Sequence, residues 1–146
     1  MPHLGYMDTE TSQAKMLEQV CVAKKSAMAR ELGWVFESSG LRLYLMLRPR
    51  KRKNLSFLLR ATFDDFPQRA PSYVFVENGS KEMTGAAWPP DVRHGADPPG
   101  ICTPGTREFH ENYHVNDQQY PWDSLEFYVL GTIKRIHDIM ERGVGQ

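Results

Sequence analysis

Residues 41–63 read LRLYLMLRPRKRKNLSFLLRATF, and this stretch decides the fold. Leu41, Leu43, Leu45 and Leu47 alternate with Arg42, Tyr44, Met46 and Arg48, which sends one leucine stripe to a single face of a pleated strand. Past a turn over Pro49 to Asn54 the alternation resumes, with Leu55, Phe57, Leu59, Ala61 and Phe63 on one side and Ser56, Leu58, Arg60 and Thr62 on the other. Two such runs joined by a polar turn pair as an antiparallel hairpin. A β-prone Trp34-Val35-Phe36 precedes them, and Tyr73 to Val76 adds another strand between Phe66-Pro67-Gln68-Arg69-Ala70-Pro71 and Asn78-Gly79. The middle of the chain therefore reads as an antiparallel meander of about four strands.

Helical periods flank the meander. Over residues 13–32, Leu17, Val20, Cys21, Ala27, Met28 and Leu32 recur near a helical spacing, with Thr9, Thr11 and Ser12 as candidate caps and Gly33 as the stop. Near the other end Asp123 with Glu126 forms a capping-box pattern, and Leu125, Val129, Ile133, Ile136 and Met140 make a buried stripe. Strands that follow one another with no helix between them disfavour parallel crossover folds. The expected class is α+β, with helices covering one face of an antiparallel sheet.

The composition fits that expectation. With 146 residues, 40% of them hydrophobic, the chain suits one domain spanning 1–146 with a real core. Its 18 Lys+Arg balance 18 Asp+Glu, so nucleic-acid holding is not its main task, because phosphate neutralisation needs a cationic surplus. Neither an export signal nor an apolar run of transmembrane length is visible, and two cysteines without a CxxC pair suit a reducing cytoplasm. A soluble, cytoplasmic protein is expected.

Pro and Gly crowd the region from Gly79 to Gly105, and the irregular stretch from Trp88 to Trp122 holds His94, Cys102, His110 and His114. Long loops in compact domains usually carry function. Cys102 sits between Pro98-Pro99-Gly100-Ile101 and Thr103-Pro104-Gly105, a stiff, turn-rich setting in which a thiol can be reachable. The plainer alternative is a small buried hydrophobe, the reading that Cys21 takes on the apolar side of its helix. His110 and His114 lie four apart, on one face if residues 107–114 are helical. Either can be a proton acceptor or simply a structural histidine. Trp88 and Trp122, each beside proline, read as rings that pin the loop to the core.

Three segments together carry a resemblance. Asp65-Phe66-Pro67-Gln68-Arg69-Ala70-Pro71-Ser72-Tyr73-Val74-Phe75 resembles the Tyr-Pro-x-x-x-Pro entry to the last meander strand of ubiquitin-conjugating (E2) enzymes. Gly100-Ile101-Cys102 is similar to their Gly-x-Ile-Cys active-site run, one residue short, and Trp122 with Leu125, Val129, Leu130 and Ile133 is similar to their tryptophan-led helix. The order of elements agrees from Gln13 to Met140. The resemblance implies a UBC-like fold with a long active-site loop and an E2-like transferase. Cys102 would accept a ubiquitin-like protein as a thioester from an activating (E1) enzyme and pass it to an amine of a target protein. Thiolate chemistry suits the task, since a thioester divides one hard acyl transfer into two easier ones. No cofactor and no resident metal is implied, and the partners are the E1-like enzyme, the ubiquitin-like protein and the acceptor.

The family's His-Pro-Asn segment upstream of the cysteine is replaced here by Arg93-His94-Gly95-Ala96-Asp97, so His94 falls where the family's asparagine would stand. His94 and His110 are the residues expected to assist Cys102. An insertion over Arg107 to His114 makes the chain similar to divergent E2-like proteins of bacterial ubiquitin-like conjugation operons, some linked to anti-phage defence. Three rivals stand beside the transferase: an inactive E2-like binding module, a zinc site built from His94, Cys102, His110 and His114, and a Cys-His hydrolase. The basic run Arg48-Pro49-Arg50-Lys51-Arg52-Lys53 reads as a solvated turn or as a contact for an acidic partner. In the family the E1 contact runs mostly through the first helix, which makes Lys15, Lys24, Lys25 and Arg30 alternative docking charges.

Overall fold

The computed structural model describes residues 7–52, 54–90, 92–94, 100–113 and 121–144, with the backbone alone for 93, 94, 112, 113, 143 and 144. Two helices, α1 (Thr9–Lys24) and α2 (Ala27–Leu32), lead into strands β1 (Phe36–Ser39), β2 (Arg42–Leu47), β3 (Phe57–Thr62) and β4 (Ser72–Val76). A short ribbon of β5 (Arg93–His94) and β6 (Gly100–Ile101) follows, then a wide helical turn at Phe109–Tyr113 and the closing helix α3 (Val129–Val144). The class is α+β, with helices before and after, in chain order, a four-strand antiparallel sheet ordered β1-β2-β3-β4. No helix among the described residues is long and apolar enough to cross a membrane.

The alternation in residues 41–63 sets the register. Leu43 faces Ala61, Leu45 faces Leu59 and Leu47 faces Phe57, while Leu59 and Ala61 in turn face Phe75 and Tyr73 on β4. Leu43, Leu45, Leu47, Leu59, Ala61, Tyr73 and Phe75 are buried, and they form one cluster with Met16 and Val20 of α1 and Ile133, Ile136 and Met140 of α3. Burying one such side chain stabilises the fold by about 1.5–3 kcal/mol, and the stripe is its main source of cohesion. The opposite sheet face is less polar in practice than its sequence suggests. Tyr44, Leu58, Val74 and Val76 are buried there too. The Lys81 ammonium lies 4.7 Å from the centre of the Tyr44 ring, and Arg60 Nη2 lies 3.6 Å from Met83 Sδ.

Four helical expectations need correction. The span 13–32 is two helices, because the Ser26 hydroxyl donates to the Ala23 carbonyl at 2.7 Å and accepts the Ala29 N–H at 3.0 Å, capping a new helix where the first ends. Asp8, rather than Thr9, Thr11 or Ser12, caps α1 by accepting the Thr11 N–H at 2.8 Å. Gly33, in the left-handed conformation at φ 67°, ends α2 as read from the sequence.

The buried face of α1 is also different. Ser12, Met16, Val20 and Ala23 turn inward, whereas Leu17 is 44% exposed and Cys21, expected to be buried, is exposed. Apolar residues occur on several sides of α1, so periodicity alone did not select the face that the sheet covers.

The fourth correction concerns α3, which begins at Val129 and not at Asp123. Asp123 instead closes a separate turn, its Oδ1 accepting from the Leu125 N–H at 2.8 Å and its carbonyl from the Phe127 N–H at 2.8 Å. Leu125 is consequently 85% exposed. The first amide of α3 is satisfied from across the molecule, where Gln19 Oε1 on α1 accepts the Val129 N–H at 2.7 Å.

Candidate functional site

The ribbon positions the cysteine. Arg93 pairs with Ile101 and His94 with Gly100, so the backbone of His94 runs beside the residues that lead into Cys102. Ile101 is fully buried and anchors the strand. Directly after it the Thr103 N–H donates to the Ile101 carbonyl at 3.2 Å, which places Cys102 at the centre of a three-residue turn. Cys102 is half-buried there. Burial pushes its thiol pKa up, so the neutral thiol is its resting form near neutral pH.

Thr106 holds both sides of that turn. Its hydroxyl lies 2.7 Å from the Ile101 carbonyl and 3.0 Å from the Thr103 carbonyl, and it accepts the Phe109 N–H at 3.1 Å. The Thr103-Pro104-Gly105-Thr106 turn is thereby joined to the helical segment behind it. Gly105 adopts φ 102° and packs so closely on α3 that a Cβ would stand 2.0 Å from Thr132 Oγ1. From the same helix Arg135 Nε donates to the Pro104 carbonyl at 3.1 Å.

His110 lies inside this framework and is 8% exposed. Its Nε2 accepts the Gly105 N–H at 3.0 Å, and its ring lies 5.6 Å from that of Trp122 and 5.0 Å from that of Phe127, centroid to centroid. The Nε2 lone pair that a general base would offer is engaged by the loop's own backbone. Trp122 pins the loop as expected, its Nε1 donating to the Pro67 carbonyl at 2.9 Å.

A second seam ties the segment after Cys102 to the connection between β3 and β4. The Arg107 N–H donates to the Pro71 carbonyl, its Nε to the Ala70 carbonyl at 2.9 Å, and its Nη2 to Asp64 Oδ1 at 2.8 Å. Arg69 grips Glu111 with two bonds of 2.7 Å, the bidentate arrangement that suits a guanidinium and a carboxylate. Ser72 Oγ donates to Glu108 Oε2 at 2.7 Å, while Glu108 Oε1 is buried with no hydrogen-bond partner among the described residues. Burial pushes the Glu108 pKa up, and the Ser72 bond opposes that only in part.

Of the residues singled out in the sequence, the structure brings the backbone of His94 beside Gly100 and places His110 in the loop that follows Cys102. The His94 side chain and all of His114, Pro98 and Pro99 lie outside the described residues. Among the described residues no three His, Cys, Asp or Glu side chains converge on a point where a metal ion would sit. Sequence reasoning missed Thr106, Arg107, Thr132 and Arg135. Only Thr106 carried a local signal, as a hydroxyl residue just ahead of a helical turn. No family model matches the chain, and no curated protein matches it either.

Proposed function

We propose that the chain is an E2-like transferase with a UBC-like fold, accepting a ubiquitin-like protein as a thioester on Cys102 from an E1-like enzyme and passing it to an amine. The observation that carries this reading is the setting of Cys102, half-buried at the centre of a turn clamped between the sheet and the closing helix. The helix, four-strand meander, cysteine loop and helix occur in the order the resemblance requires. By that resemblance the setting is a cytoplasmic, bacterial ubiquitin-like conjugation pathway of the kind used in anti-phage defence.

In this mechanism Cys102 loses its proton and its sulfur attacks the carbonyl carbon of the E1 thioester. A new C–S bond forms, the E1 sulfur leaves as a thiolate, and a proton returns to it. An unprotonated acceptor amine then attacks the same carbon, the C–N bond forms, and Cys102 leaves as a thiolate. The proton released by the amine restores its thiol. Burial raises the pKa of the free thiol, so the attacking thiolate is the minor form before transfer. His94 is the proposed proton acceptor, on the ground that its backbone pairs with Gly100. His110 is a positioning residue that acts through the Gly105 amide.

The raised Cys102 pKa also favours a second reading, a UBC-like binding module without transfer chemistry. One assay separates them. Purified chain is mixed with ATP and with an E1-like enzyme and a ubiquitin-like protein of a bacterial conjugation operon. A thiol-sensitive adduct that Cys102→Ala abolishes and Cys21→Ala retains supports the transferase; an adduct indifferent to Cys102 refutes it, and no adduct at all favours the module.

A further inference from the structure

The basic run after β2 does not stand alone. Arg48 and Arg50 line a groove of about 660 Å³ together with Arg30, from the last turn of α2. Leu32 and Pro49 belong to the same lining, with Pro49 buried and Leu32 half-buried. Both segments are fixed by the fold. Gly33 turns the chain sharply at the end of α2, where the Trp34 N–H donates to the Ala29 carbonyl at 2.9 Å, and the Arg50 N–H is held by Glu141 Oε1 of α3. All three arginines are exposed, and none forms an ion pair among the described residues. Like charges gathered around a preformed hollow cost free energy that an anionic ligand would offset.

We propose that this groove docks an acidic peptide segment of a partner protein, with its carboxylates taken by Arg30, Arg48 and Arg50 and an aliphatic side chain seated on Leu32 and Pro49. Guanidinium forks match carboxylates bidentately, and apolar residues in the same lining suit a peptide that mixes acidic and aliphatic residues. Nucleic acid fits less well. No aromatic ring among the described lining residues offers a base a stacking surface, and the chain as a whole has a formal charge of zero. The proposal does not depend on the chemistry of Cys102.

The test uses the full chain and three fluorescent probes: a peptide rich in glutamate and leucine, the same peptide with glutamine for glutamate, and a single-stranded DNA of equal charge. Anisotropy titrations should show the acidic peptide binding more tightly than the DNA, the glutamine peptide failing to bind, and added salt weakening the complex. Replacing Arg48 and Arg50 together by alanine should lower the peptide affinity about tenfold or more, the scale of losing charge-assisted bonds. Glu31→Gln should raise it, and Cys102→Ala should leave it unchanged. DNA binding more tightly than the peptide, absence of peptide binding, or an affinity indifferent to the arginines would overturn the proposal.

Discussion

The backbone N–H of Gly105 donates to Nε2 of His110 at 3.0 Å in the interior of the protein, and this bond closes the loop that presents Cys102. A donor that would otherwise be buried without a partner is satisfied by a ring packed among aromatic neighbours. The shape of the loop that follows Cys102 thus depends on a residue further along the chain.

His110→Ala should therefore destabilise the protein by about 3 kcal/mol, combining a cavity among Phe109, Trp122 and Phe127 with an orphaned amide. Denaturant unfolding measures the loss. Hydrogen exchange at the Gly105 amide should quicken by more than at the amides of β3; uniform acceleration would mean that the bond has no local role.

Gly105→Ala should be worse tolerated than alanine at most glycines. Its φ of 102° strains any residue with a Cβ, and that atom would stand 2.0 Å from Thr132 Oγ1. A loss of about 3 kcal/mol or more is expected. Adding Thr132→Ala removes the nearest atom, so the double variant should recover part of the stability, which a double-mutant cycle of unfolding free energies would read as favourable coupling.

Glu108 makes a pH-dependent prediction. Burial holds its folded-state pKa above the ordinary value, so across that window the folded protein binds more protons than the unfolded chain. Stability from this group accordingly falls as pH rises from the ordinary carboxyl value through the raised one, and the penalty stays in full above it. Glu108→Gln, which mimics the neutral form and keeps an acceptor for Ser72, should be more stable than the parent at neutral pH. Unfolding curves at neutral pH and at about pH 4 should show that advantage shrinking in acid.

The two thiols should differ in reactivity. Cys21 is exposed on α1, whereas Cys102 is half-buried with its pKa raised by burial. In the free protein near neutral pH, iodoacetamide should modify Cys21 first and Cys102 several-fold more slowly, as followed by peptide mass mapping. The Cys102 rate should still be climbing at about pH 9, where an ordinary thiol is already largely ionised.

The meander was legible because a period of two is a local property: once Leu43, Leu45 and Leu47 share a face, their partners Ala61, Leu59 and Phe57 follow. The face of α1 was not legible, since Met16, Leu17, Val20, Cys21 and Val22 leave more than one apolar side and only the tertiary core chooses between them. Asp123 misled for a related reason. The same cap residue can start a helix or close a turn, and the Phe127 N–H to its carbonyl settles the outcome.

At the candidate site, Cys102 stood out through its proline and glycine neighbours. Its supports did not, because Arg107 reaches Asp64 and Arg135 reaches Pro104 from distant parts of the chain. His110 drew attention as a titratable residue in a long loop. A bond to a backbone amide in that loop leaves no trace in the sequence.

The most direct test of the central claim maps the acyl group itself. After charging with the E1-like enzyme, ATP and the ubiquitin-like protein, digestion and mass spectrometry should find the remnant of the ubiquitin-like C-terminus on the Cys102 peptide. Thiol should remove it there, and Cys102→Ser should replace it with a thiol-resistant ester at the same position. A remnant confined to Cys21 or to lysines, or none on residue 102 in either protein, would contradict the account.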